Sequence, residues 1–116
     1  MTITRIAGTA RGRSRAVVHN GLVYAVATDT TGAADISGQT RQTLMALDKA
    51  LADAGSNKTR LLQATVYLKD MATKAEMDAV WCDWIGGREN WPQRACVGAD
   101  LAGEDLIEIV VTATVA

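Results

Sequence analysis

The sequence is poor in the residues that most often carry catalysis or cross-linking: one histidine, one proline, two cysteines and no phenylalanine among 116 residues. A single histidine, His19, cannot complete a usual zinc site, and Cys82 and Cys96 lie too far apart for a CxxC pair, so no metal is expected. Both thiols are expected to be reduced and buried. Also missing are the GxSxG elbow, the GxxxxGK[ST] phosphate loop, HExxH and the Rossmann glycine pattern. The opening stretch "MTITRIAGTARGRSRAVV" holds neither an apolar h-region nor a stop-transfer run. It reads as neither signal peptide nor membrane anchor, and a cytoplasmic protein is expected.

Acid is missing too, locally. Residues 1–28 contain Arg5, Arg11, Arg13 and Arg15 and no aspartate or glutamate. Such a segment recruits an anion, and with a formal net charge of -1 and a pI near 5.7 a small carboxylate is favoured over nucleic acid. The length suits one domain, residues 1–116, and no linker, repeat or low-complexity tract divides it.

What is present is a clear alternation of periods. Residues 2–8 can form a strand, and "AVVHNGLVYAVA" sets Asn20-Gly21 between two apolar runs, the preferred pair for a type I′ hairpin turn. His19 is then a residue of the turn. Ile36, Thr40, Leu44, Leu47, Leu51 and Ala54 recur at helical spacing, so residues 36–54 read as an amphipathic helix capped by Asp35 and stopped by Gly55. In "RLLQATVYLKD", Leu62, Ala64, Val66 and Leu68 alternate with polar partners and are expected to be buried. "TKAE", residues 73–76, has capping-box spacing before a second helix whose stripe is Met77, Val80, Trp81, Trp84 and Ile85. Gly86-Gly87 closes it, and "QRACVGA" and "DLIEIVVTATV" read as final strands.

The order is βββαβαββ, an α+β domain with a mixed sheet and two helices on one face. Strands 22–27 and 106–115 are apolar on both sides, and two helices can cover only one. The second face is therefore expected to be buried against other subunits. Alternation groups Arg94 with Cys96, and Glu108 with Leu106, Val110 and Thr112, and both charges are expected to point away from the helices. Two roles stay open for Arg94: an ion pair with Glu108 across strands or between subunits, or a planar fork that grips an anionic substrate at a subunit cleft, with Glu108 orienting a water. A third idea, Cys96 as a thiolate activated by Arg94, lacks a histidine partner.

The segments "NGLVYAVA", "GQTRQTLMALDKALADAG", "LLQATVYLKDM", "MDAVWCDW", "WPQRACVGADL" and "LIEIVVTA" resemble the RidA (YjgF) family, the reactive intermediate deaminases, over nearly the whole chain. The last two are the most specific. The resemblance implies a chorismate-mutase-like fold, a homotrimer with sites in inter-subunit clefts, and hydrolysis of 2-imino or 2-enamino acids to 2-keto acids and ammonia without a cofactor. It implies that Arg94 holds the substrate carboxylate, that the Cys96 main chain contacts the ligand and that Glu108 positions water. Tyr24 and Val26 would line the site. Where many such deaminases carry Ser-Gly this chain has Val26-Ala27, and Arg13 stands in place of a tyrosine, offering a second anion contact suited to a dicarboxylate. The loop "TDTTGAAD" is short for the family, which widens the cleft. A trimeric carboxylate-binding or regulatory protein without turnover is the alternative reading, and RNA cleavage is disfavoured by the acidic pI and few aromatics.

Overall fold

The computed structural model describes residues 2–116. Its elements run β1 (Thr4–Ala7), β2 (Ser14–His19), β3 (Leu22–Thr28), α1 (Ile36–Asp53), β4 (Leu61–Leu68), α2 (Lys74–Ile85), β5 (Gln93–Gly98) and β6 (Ile107–Thr114), in the expected order. One six-stranded sheet has the order β1-β2-β3-β6-β4-β5. All neighbours are antiparallel except β4 and β5, which are parallel and joined through α2.

Local chemistry accounts for the main boundaries. Asn20 and Gly21 take φ of 54° and 78°, the left-handed pair that a two-residue turn between right-twisted strands requires. Asp35 caps α1 by accepting the Gly38 amide at 2.7 Å, and Gly55, at φ 82°, ends it. A Cβ on Gly38 would stand 3.0 Å from the Asp35 carboxylate, so the cap and the glycine belong together. The whole expected α1 stripe is buried, and it packs with Met77, Trp81 and Ile85 of α2 onto Val23, Ala25, Val66, Ile107, Ile109 and Val111.

Three expectations fail. Leu62 is 50 % exposed, because a bulge between Leu61 and Gln63 turns Leu61 into the core instead. The capping box does not form: Thr73 donates its hydroxyl to the Asp70 carbonyl, while the Asp70 carboxylate accepts the Ala72 amide in a 3₁₀ turn that leads into α2. Both cysteines are free, but Cys82 is exposed rather than buried and Cys96 is half-buried.

The second face of the sheet carries Tyr24 and Val26 of β3, Val110 and Thr112 of β6, Thr65 and Tyr67 of β4, and Val97 of β5, and none of the described residues forms a layer over it. Tyr24, Val97 and Val110 are all substantially exposed there. Among the described residues no helix is long and apolar enough to cross a membrane.

Candidate active site: two clefts

Register settles where the charged side chains point. Arg94 is opposite Ala64 and Cys96 opposite Val66, and Ala64 and Val66 are core residues, so Arg94 and Cys96 lie on the helix side of the sheet. Glu108 is opposite Tyr67 and Thr28, on the uncovered side. The expectation that both charges point away from the helices is thus corrected for Arg94. Alternation separates two faces of a strand but does not say which is inner, and on edge strand β5 the small Ala95 and Val97 are outermost.

Arg94 is held from three sides. Nη2 donates to Asp78 Oδ1 at 2.6 Å, the guanidinium lies 5.2 Å from the Trp81 ring centre, and Nη1 approaches the Met77 sulfur at 3.8 Å. Lys74 Nζ donates to the other Asp78 oxygen at 2.7 Å. Within the chain the ion pair of Arg94 is therefore with Asp78, and the expected pairing with Glu108 across strands of one sheet does not form. Burial raises the Asp78 carboxyl pKa, but the hydrogen bonds from Lys74 and Arg94 outweigh it, and the group titrates below the usual aspartate value. Two cations and one anion leave this cluster net positive. Asp78 uses one of the five guanidinium donors, and among the described residues no oxygen accepts from Nε or Nη1. The side chain is 19 % exposed, at the edge of a cleft of about 330 Å³ walled by Trp81, Cys82, Ile85, Trp91 and Pro92.

Cys96, two residues along the same face, does not have an activated thiol. Burial raises its pKa, and the Arg94 and Lys74 cations only partly offset that.

A second cavity, of about 360 Å³, lies at the far ends of β2, β3 and β6 and brings together Arg13, Ser14, Val26, Thr28, Ala50 and Glu108. Arg15 also reaches it, but its guanidinium is engaged by Asp53 and by the Ala7 carbonyl at 3.0 Å. Asp29 folds the adjoining loop by accepting the Thr31 and Ala33 amides, each at 2.7 Å. Of the expected site residues, Arg13, Val26 and Glu108 meet here, Arg94 stands in the other cleft with Cys96 on its side of the sheet, and Tyr24 lines neither cavity. Arg94 and Glu108 sit on strands either side of β4, about 10 Å apart across the sheet and roughly 10 Å along it, on opposite faces. Sequence reading missed Asp78, Lys74 and Trp91. The Lys74–Asp78 spacing of four is a legible ion-pair signal, but nothing local in the sequence places Arg94 beside it.

This architecture is the chorismate-mutase-like α+β class, a mixed six-stranded sheet with two helices on one face. The model of the endoribonuclease L-PSP family matches residues 3–115, and the chain belongs to that family, the RidA/YjgF group. It is 41 % identical over 115 residues to a RutC family protein of Haemophilus ducreyi, covering 97 % of each chain, and 36 % identical over 116 residues to the RutC family protein YoaB of Escherichia coli, covering 99 % of this chain and 100 % of that one. The crystal structure of a YjgF-family protein from Neisseria meningitidis superposes with a TM-score of 0.90 at 37 % identity, covering 100 % of this chain and 97 % of that one.

Proposed function

We propose that the protein is a deaminase of 2-imino and 2-enamino acids whose active site is completed between copies of the chain, in a homotrimer. Arg94 of one copy takes the substrate carboxylate, and Glu108 of the next orients the attacking water, with Arg13, Tyr24 and Val26 on the same side as that glutamate and the Cys96 main chain beside the clamp. The observation that carries the reading is Arg94 itself. It is fixed by Asp78 and Trp81, keeps donors without an oxygen partner and faces a cleft. Its separation from Glu108 within one chain supports a shared site, and the uncovered apolar face supplies the surface through which copies would meet.

The chemistry asks little of the protein. Water forms a bond to the iminium carbon as the C=N π pair moves to nitrogen, one of its protons passes to that nitrogen, and the carbon–nitrogen bond breaks as the remaining hydroxyl gives up its proton, leaving a 2-keto acid and ammonium. The imine already reacts with water, so holding the carboxylate and presenting the water in line is sufficient for acceleration. A nuclease reading has less support, since the net charge is -1 and His19 lines neither cavity.

The test generates imino acids in place with an amino-acid oxidase and traps them with semicarbazide. Wild type is expected to lower the trapped fraction and Arg94→Ala to leave it near the enzyme-free level. Equal trapping with and without wild-type protein, for aliphatic, aromatic and acidic imines alike, would remove the deaminase reading in favour of carboxylate binding without turnover.

A further inference from the structure

The wall around Arg94 is apolar to an extent that a carboxylate alone does not need. Trp81, Ile85, Trp91 and Pro92 line it, and its polar groups, Arg94 and Asp78, come from one edge strand and the facing helix. The walls are built rather than loose. Trp91 donates its indole N–H to the Gly86 carbonyl at 3.0 Å and has the Arg88 guanidinium 5.9 Å from its ring centre, while Trp81 packs against Trp84 with centroids 5.3 Å apart. Pinned in this way, Trp91 is still 59 % exposed, so an indole face is presented to whatever enters. The cleft volume, about 330 Å³, falls within the range of small-molecule pockets and far exceeds what a three-carbon imino acid fills.

We infer that the Arg94 cleft selects 2-imino acids, and the matching 2-keto acids, with bulky apolar side chains, branched aliphatic or aromatic, over the smallest members of the class. The inference rests on the reading of Arg94 as carboxylate clamp. With the carboxylate on Arg94, the side chain extends over the Trp91 face towards Pro92 and Ile85. Each methylene buried there raises affinity roughly fourfold, so two to four additional carbons amount to about tenfold or more.

Calorimetric titration with pyruvate, 4-methyl-2-oxopentanoate and phenylpyruvate tests this, alongside trapping assays on the imines of alanine, leucine and phenylalanine. Wild type is expected to bind both bulky keto acids at least about tenfold more tightly than pyruvate, and Trp91→Ala to shrink that ratio towards one. If the alanine variant does not fold, Trp91→Leu is expected to weaken phenylpyruvate more than 4-methyl-2-oxopentanoate. Equal affinities, no binding of the bulky acids, or an unchanged ratio in the Trp91 variants would overturn the inference. Turnover of alanine imine without any preference would do so while leaving the deaminase reading intact. Preference in binding with no turnover of any imine would keep the inference and overturn the deaminase reading.

Discussion

At the scale of single residues, the central fact is that Asp78 sits between two cations. Its carboxyl titrates below the ordinary value of 3.8, so its pairing with Arg94 and Lys74 stabilises the fold fully above that pH and is lost as pH falls through the lower folded-state value. Removing it leaves Arg94 largely buried without its counter-charge. We expect Asp78→Ala to lower stability by about 1–2 kcal/mol at pH 7, between the ranges for exposed and buried pairs, with the difference from wild type shrinking below about pH 4 in urea titrations. A difference independent of pH would mean that packing, not charge, is what Asp78 contributes. The cysteines give a second expectation. Cys82 is exposed and the Cys96 thiol is raised in pKa by burial, so iodoacetamide at pH 7 should alkylate Cys82 first, as peptide mass mapping would show. Faster labelling of Cys96 would contradict the environment described for it.

At the scale of elements, what was legible followed from patterns with one solution. The α1 stripe has a single inward face, and Asn20-Gly21 between two apolar runs admits one turn, so both were readable from the sequence. Substituting Gly21 by valine is expected to destabilise by about 1–2 kcal/mol, because φ of 78° is unfavourable for a β-branched residue, and a chemical melt would record it. The failures share a cause as well. Burial of Leu62 could not be read because a bulge changes the count between Leu61 and Gln63 without leaving a mark in composition. Thr73 has the right spacing for a capping box, but its hydroxyl is turned back to the Asp70 carbonyl, to which it donates at 2.6 Å, and accepts no helix amide. The inner face of β5 is set by pairing with β4, thirty positions earlier in the chain (Arg94 opposite Ala64), and with it the side on which Arg94 stands. The identities of Arg94 and Glu108 as site candidates were readable, but the fact that they face opposite ways needed the assembled sheet.

At the scale of the whole molecule, the uncovered sheet face and the separation of Arg94 from Glu108 both support the proposal of an oligomer with shared clefts. Tyr24, Val97 and Val110 would be solvated in an isolated chain, an apolar expanse that soluble domains normally bury. Light scattering at micromolar concentration is expected to return three times the chain mass of 12.3 kDa, and a monomer would contradict the shared site outright. The most direct test of that shared site mixes two chains that are each disabled. Arg94→Ala and Glu108→Gln proteins, inactive alone, are unfolded together, refolded as mixed oligomers and assayed for imine hydrolysis. If Arg94 of one copy works with Glu108 of the next, random trimers regain about one quarter of wild-type activity, since that fraction of clefts receives both intact residues. Mixed oligomers that stay as inactive as their parents, while wild type refolds to full activity, would contradict the account.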